Sequence, residues 1–195
     1  MAATAEPRRL FFALWPEPAL QTTLAVTAST IARSRALGGR DVPAERIHLT
    51  LLFLGDVEPA AEQRLVTAVG RLAARPFDLI LDQAGCFFRS KVFWLGASKA
   101  PRKLGELAEA LRGAVAGIGL APDRKELVPH VTCVRDIRHV IRPVPVTPLT
   151  WAVRSFALVH STLGPQPQYH VVSHWPLQTG PARSVKTVQA PGVPE

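Results

Sequence analysis

The chain has 195 residues, and 47% of them are hydrophobic, which is enough to form the core of one domain or of two small lobes. Its formal net charge is +8, with 23 Lys and Arg residues against 15 Asp and Glu residues, and this excess favours polyanionic partners. The first apolar run, residues 10–15, is too short for a signal-peptide core or a membrane span, so we expect a cytoplasmic protein without a membrane segment.

Turn residues divide the apolar pattern of the chain into short strands and amphipathic helices. In chain order, the sequence predicts a strand at residues 10–14, a helix at 16–37, a strand at 47–54, a helix at 59–75, a strand pair at 77–87 and 92–96, a helix at 101–118, a strand at 128–135, and a strand pair at 151–161 and 169–175. This mixture of helices with antiparallel strands indicates an α+β fold.

Two proline-containing segments are not predicted to form regular structure. Residues 143–148 contain three prolines, which lack the N–H that helices and interior strands need, so we predict a connector. Residues 178–195 are rich in proline and glycine and can bury little surface, so we predict a mobile tail. Residues 8–177 are then expected to form a single domain.

One short pattern, histidine, apolar, threonine, apolar, occurs twice in a chain that has only six histidines. The copies are His48-Leu49-Thr50-Leu51 and His130-Val131-Thr132-Cys133. In an extended strand, each copy would point its His and Thr to one face and its apolar pair to the other. Two imidazoles can act as general acid and general base, and two hydroxyls can hold the oxygens of an anion. The repeated pattern therefore predicts phosphodiester chemistry.

A single histidine in an apolar strand is more often a core residue than a catalytic one, and the duplication is what favours catalysis here. A third near-match, His160-Ser161-Thr162-Leu163, has a polar residue where the pattern needs one that faces the core. It also continues directly into the turn residues Gly164 and Pro165. We therefore interpret His160 as a surface or core residue at a strand end.

At these residues the chain resembles the two-histidine phosphoesterase family, and within it the RNA 2′,3′-cyclic phosphodiesterases, also called 2′-5′ RNA ligases. The resemblance is carried by residues 9–13, 47–55, Gly85, 92–96, 128–135, Tyr169 and 175–177. It implies a bilobal α+β fold of two antiparallel sheets with flanking helices, with pseudo-twofold symmetry and an active-site cleft between the lobes. The chain departs from the family pattern at Cys133, where an aliphatic residue is usual, and at His160, where an acid is usual.

The resemblance also implies an activity and residue roles. RNA ends with a 2′,3′-cyclic phosphate would be hydrolysed to 2′-phosphate ends, with 2′-5′ RNA ligase activity as an accompanying reaction and without metal or other cofactor. His130 would be the general base and His48 the general acid, although the two motifs are so alike that the residues themselves support either assignment. Thr50 and Thr132 would donate hydrogen bonds to the non-bridging phosphate oxygens.

Two further site residues are candidates although the alternation of a regular strand opposes them. The resemblance places Arg135 in the site, where it would neutralise the phosphate charge. Phe53 could stack on a base if the strand has a bulge, and core packing is the alternative for its ring. Each lies five positions after a motif histidine, so each should face away from it unless the strand has a bulge or has ended.

We expect the partner to be RNA with cyclic phosphate ends, tRNA fragments among them, and the protein to be a monomer. Three alternatives stay open: a non-catalytic module that binds RNA ends, a phosphodiesterase for another cyclic phosphate such as an ADP-ribose derivative, and a metal hydrolase. The last is disfavoured because no third ligand stands at a recognisable spacing and Thr is a poor zinc ligand. Cys86 and Cys133 lie in apolar runs, so we expect core thiols.

Overall fold

The computed structural model describes residues 6–122, 125–162, 164 and 168–178, so the predicted tail beyond residue 178 lies outside the described residues. Its strands are β1 (Arg8–Leu14), β2 (Arg40–Asp41), β3 (Leu49–Val57), β4 (Phe77–Phe87), β5 (Val92–Gly96), β6 (His130–Arg135), β7 (Val144–Val153), β8 (Ser155–Ser161) and β9 (Tyr169–Pro176). Its helices are α1 (Pro18–Ser34), α2 (Pro59–Val69) and α3 (Arg102–Gly117), with a short 3-10 helix at Ala44–Arg46. Apart from the strand at residues 151–161, the predicted strands and helices are thus present, most of them with boundaries shifted by a few residues.

The strands form two antiparallel sheets, one with the order β3-β1-β8-β9 and one with the order β2-β6-β5-β4-β7. Helix α1 follows β1 of the first sheet but contacts β5 and β6 of the second. Helix α3 follows β5 of the second sheet but contacts β3 of the first. One buried apolar cluster therefore includes side chains of both sheets. The predicted α+β class with two antiparallel sheets is confirmed, whereas the pseudo-twofold symmetry and the single domain at residues 8–177 stay predictions.

Helix α3 shows how the sequence pattern leads to this packing. Its buried residues recur every three or four positions, so they form one apolar stripe along the helix: Leu104, Leu107, Ala108, Leu111 and Val115. Burial of each leucine contributes about 1.5–3 kcal/mol relative to exposure. No helix among the described residues is long and apolar enough to cross a membrane.

The prediction of a connector at residues 143–148 was wrong, because β7 begins at Val144 and continues to Val153. Strand β7 lies at the edge of its sheet and pairs only with β4. At an edge, the side of a proline that lacks an N–H can face solvent instead of a partner strand. Pro145 pairs with Gln83 beside a register shift between the two strands, which accommodates the prolines.

The prediction of one continuous strand at residues 151–161 was also wrong. Arg154 separates β7 from β8, and these two strands belong to different sheets. The apolar pattern runs through both strands without a turn signal, so the sequence does not mark the change of sheet. Of the two cysteines, Cys133 is buried and Cys86 is partly buried against the core, and both are free thiols.

Candidate active site

A bulge in β6 determines which side chains of the second motif point the same way. Trp94 of β5 pairs with Thr132, but the preceding residue, Phe93, pairs with Val134, so Cys133 is an extra residue in β6. Because both Cys133 and Val134 are buried, the alternation of the strand is reset after Thr132. Arg135 therefore shares the face of Thr132, which removes the objection that a regular strand raises against it.

A bulge in β3 has the same effect on the first motif. Ala13 of β1 pairs with Thr50, and Phe11, two positions earlier on the same face of β1, pairs with Phe53. Thr50 and Phe53 are three positions apart, so the intervening register shift brings them to one face. Phe53 packs against a small apolar cluster around Phe11, and the guanidinium of Arg9 lies 4.8 Å from the centroid of its ring.

The two motifs meet in one small pocket of about 60 Å³. It is lined by side chains of both sheets and of the segment between β2 and β3: Val42, Arg46, His48, Thr50, His130, Thr132, Arg135 and Tyr169. Five of the six predicted site residues are among them. Phe53 is not, and it lines an adjoining groove of about 260 Å³ that shares Thr50 and His130 with the pocket.

Sequence reasoning missed Arg46, Tyr169 and Val42 as residues of this pocket. Tyr169 belongs to the closing strand that contributed to the family resemblance, so a signal was available for its importance but not for its position. Arg46 lies two residues before His48, and nothing equivalent precedes the second motif, where residue 128 is a valine. A duplicated pattern cannot indicate a residue that occurs in only one copy.

Both motif histidines are held in the same way by the main chain. The Nδ1 atom of His48 lies 2.8 Å from the carbonyl oxygen of Arg46, and that of His130 lies 2.7 Å from the carbonyl oxygen of Val128. A carbonyl oxygen can only accept a hydrogen bond, so Nδ1 of each ring must carry the proton and donate it. In both residues Nε2 is therefore the nitrogen that can take up or release a proton.

The surroundings of His48 are far more aromatic than those of His130. The indole of Trp15 is parallel to the His48 ring, with an interplanar angle of 1° and a centroid separation of 5.1 Å. The rings of Phe11 and Tyr169 each lie 5.1 Å away as well. Among the described residues, His130 has one aromatic neighbour of this kind, Phe87, whose ring lies edge-on at 4.8 Å.

These surroundings lower the pKa of both imidazoles. Burial lowers the pKa of His48 to about 4; the positive charges of Arg135, His130 and Arg46 act in the same direction, and the hydrogen bond to the main chain acts against it. Burial also lowers the pKa of His130, again opposed by its main-chain hydrogen bond. Both rings are therefore mainly neutral at pH 7 in the free protein. A bound anion would raise both pKa values, because it stabilises an imidazolium.

The charge in the pocket is suited to an anion. Arg46 and Arg135 line it, and no Asp or Glu of the described residues does so. In the same described part of the chain, no group of three or more His, Cys, Asp or Glu side chains could hold a metal ion. Two hydroxyls, two imidazoles and two guanidinium groups around a small volume can bind one phosphate group and move protons at it.

A family model described as the 2′-5′ RNA ligase superfamily matches residues 16–164. The chain belongs to this superfamily. It is 35% identical over 174 residues to the RNA 2′,3′-cyclic phosphodiesterase of Escherichia coli (strain K12), an alignment that covers 88% of this chain and 98% of that relative. The resemblance inferred from the two motifs is confirmed.

Solved structures of superfamily members agree with the fold. The chain matches E. coli LigT in its apo form with a TM-score of 0.79 at 32% identity, covering 90% of this chain and 100% of LigT. It matches E. coli LigT complexed with 3′-AMP with a TM-score of 0.77 at 34% identity, covering 89% of this chain and 100% of LigT.

Proposed function

We propose that this protein hydrolyses 2′,3′-cyclic phosphate ends of RNA to 2′-phosphate ends, with the two motif histidines as acid and base. The observation that carries the proposal is the pocket in which both His-Thr pairs, far apart in the sequence, meet two arginines. The name of the E. coli relative states this substrate class for that protein, and LigT is known in complex with a nucleotide, 3′-AMP.

In the proposed reaction, water attacks the phosphorus atom and the bond from phosphorus to the 3′ oxygen breaks. One imidazole takes the proton of the water, and the other gives a proton to the departing 3′ oxygen. Following the family resemblance, His130 is the base and His48 the acid. Because both rings are mainly neutral in the free protein, the reactive form acquires its one proton when the anionic substrate raises the pKa of the pair.

Four other residues bind the substrate in this proposal. Thr50 and Thr132 donate hydrogen bonds to the non-bridging oxygens, and Arg135 balances the phosphate charge. Phe53 contacts the terminal nucleoside in the adjoining groove, where apolar and aromatic side chains can stack on a base. The groove suits this role because it shares Thr50 and His130 with the pocket, so a nucleoside there would stay attached to a phosphate in the pocket.

Ligation follows from the same chemistry when a 5′-hydroxyl of a second RNA replaces water. The 5′ oxygen then attacks phosphorus, the bond to the 3′ oxygen breaks, and a 2′-5′ linkage remains. We include this reaction in the proposal, together with tRNA fragments as substrates, a monomeric state and a cytoplasmic location.

Product analysis on an oligonucleotide with a 2′,3′-cyclic phosphate end tests the proposal. We expect a 2′-phosphate product from metal-stripped protein in the presence of a strong chelator and without ATP. Tight binding of the oligonucleotide without turnover would instead support the RNA-end binding module. Activity only on a cyclic ADP-ribose phosphate would change the substrate class, and activity that returns only with added metal would remove the two-histidine mechanism.

A further inference from the structure

Arg46 lines the pocket, but the proposed mechanism does not use it. It ends the 3-10 helix Ala44–Arg46, and its guanidinium carbon lies 5.3 Å from the centroid of the Tyr169 ring. A guanidinium over an aromatic face is stabilised by the charge distribution of the ring. Tyr169, on the last strand of the fold, therefore holds this long side chain in the wall of the pocket.

The guanidinium of Arg46 forms no hydrogen bond or ion pair with the residues that the structure describes. Its Nε atom is buried and has no hydrogen-bond partner among the described residues. Neither Arg46 nor Arg135 forms an ion pair with a carboxylate in that part of the chain, whereas Arg40, outside the pocket, lies 2.7 Å from Asp136. A buried donor without an acceptor lowers stability and calls for an explanation. An anion in the pocket would lie beside this guanidinium, which lines the pocket wall.

The negative charge on the phosphate group increases along the proposed reaction. The cyclic diester is a monoanion, which the guanidinium of Arg135 can balance alone. As water loses its proton and attacks, negative charge builds up on the phosphate oxygens, and the monoester product is close to a dianion at neutral pH because its second pKa is about 6. A second guanidinium exceeds what the substrate requires but matches the transition state and the product.

We propose that Arg46 is a second phosphate-binding residue, which binds the doubly charged transition state and the 2′-phosphate product more strongly than the cyclic substrate. This inference rests on the proposed function. An interaction that strengthens on the way to the transition state raises kcat, and a uniform one lowers only KM. The same preference makes the product a strong inhibitor. Arg46 therefore affects both the rate and product inhibition.

Replacement of Arg46 by glutamine tests this proposal. The change removes the charge but keeps the main-chain carbonyl that accepts the hydrogen bond of His48. Arg64→Gln, on the exposed face of α2, removes the same charge away from the pocket and controls for long-range attraction of RNA. For each full-length protein, we would measure kcat and KM on a cyclic-phosphate oligonucleotide and the inhibition constant of a nucleoside 2′-monophosphate at pH 5 and pH 8.

We expect Arg46→Gln to lower kcat about 10- to 100-fold with less than about a threefold change in KM. The inhibition constant of the monophosphate should rise about tenfold or more at pH 8, where the ligand is a dianion, and much less at pH 5. Arg46→Lys should give intermediate values, because an ammonium keeps the charge but not the planar fork. Arg64→Gln should match the wild type.

The proposal is wrong if Arg46→Gln matches Arg64→Gln in kcat and inhibition, or if it changes only KM. Calorimetric titration with inorganic phosphate separates this inference from the proposed function. Phosphate should bind about tenfold more weakly to Arg46→Gln than to the wild type, even if the wild type fails to hydrolyse cyclic ends. Thermal melting checks that Arg46→Gln is folded. If it is not, the same measurements are made on Arg46→Lys and compared with those on the wild type and on Arg64→Gln.

Discussion

The two motif histidines have the same kind of main-chain partner but unequal affinities for a proton. Each ring donates from Nδ1 to the carbonyl of the residue two positions earlier. Only His48 is enclosed by three aromatic side chains, which exclude the water that would stabilise its charged form. Acid–base catalysis by a histidine pair requires that one ring be neutral while the other is charged. In the free protein the surroundings favour the neutral form of His48, so the proton that its proposed role as the acid requires depends on the bound anion.

Replacing Trp15 by leucine should raise the pKa of His48 from about 4 towards the usual value of about 6.5. Loss of the parallel indole admits water, so burial penalises the charged imidazole less. A titration of the ring protons by NMR would measure the shift directly. Trp15→Phe, which keeps an aromatic ring beside His48, should shift the pKa less, and an unchanged pKa in Trp15→Leu would show that the indole does not control it.

The same variant assigns the roles of the two histidines. In the wild type, kcat/KM should be bell-shaped with its maximum below about pH 6.5, because both pKa values are lowered in the free protein. If His48 is the acid, the alkaline limb of the kcat/KM profile moves to higher pH in Trp15→Leu, because the acid stays protonated up to a higher pH. Movement of the acidic limb instead would make His48 the base.

Alanine at His48 or at His130 should each lower turnover about 10²- to 10⁴-fold. The double variant should lose less than the product of the two single losses, because the residues act as a unit. His160→Ala is the matched control: this ring lies on β8 beside His170, outside the residues that line the pocket. Loss of turnover in a folded His160→Ala protein would show that catalysis depends on His160 and would contradict the assignment of catalysis to the two motifs alone.

The bulges in β3 and β6 determine which side chains of the motif strands face the site. These bulges could not be predicted from the sequence. The existence of both motif strands could be predicted, because their apolar residues are continuous. The direction in which side chains point after the threonine of each motif could not be predicted. In the first motif strand, for example, Leu51 and Leu52 are both buried. A run of buried residues shows no alternation from which an inserted residue could be detected. Arg135 was thus identified by resemblance against the local geometry, and the bulge provides its physical reason.

Arg46 could not be predicted for a different reason. It follows no strand pattern, and its place in the pocket depends on Tyr169, which is more than a hundred positions later in the chain. Likewise, the prolines of β7 are compatible with a strand only because that strand lies at an edge, which is a property of the whole sheet.

The β4–β5 hairpin supports the second motif through a close contact between Gly85 and Trp94. A Cβ atom at Gly85 would lie 2.5 Å from the Cζ2 atom of Trp94, a residue that is 7% exposed. Gly85→Ala should therefore lower the free energy of unfolding by about 1–3 kcal/mol, measured by urea denaturation. Gly113→Ala, in α3 with nothing within 4 Å, should raise it by about 0.5–1 kcal/mol.

Activity should fall in Gly85→Ala as well, because the displaced indole contacts Phe87, which packs on His130. Equal stability of the two alanine variants would mean that the indole moves aside freely and that the hairpin does not hold the site in place.

The net charge of +8 is expected to have only a modest effect on RNA affinity. A pocket for one terminal phosphate makes about two or three phosphate contacts. In a plot of the logarithm of the RNA binding constant against the logarithm of the salt concentration, the slope for single strands should therefore be near −2. Fluorescence anisotropy across a salt series would measure it. A slope several times steeper would indicate a long basic surface and favour an RNA-binding module.

Strand β1 pairs on one side with β3 and on the other with β8, where Leu10 lies opposite His160. This sheet is therefore complete only when β1 has paired with a strand that follows much later in the chain. Until then, the aromatic enclosure of His48 is incomplete, since Tyr169 lies on β9 beyond it. A folding chain in which both motif strands have formed but β9 has not yet joined the sheet therefore lacks Tyr169, and with it part of the pocket wall.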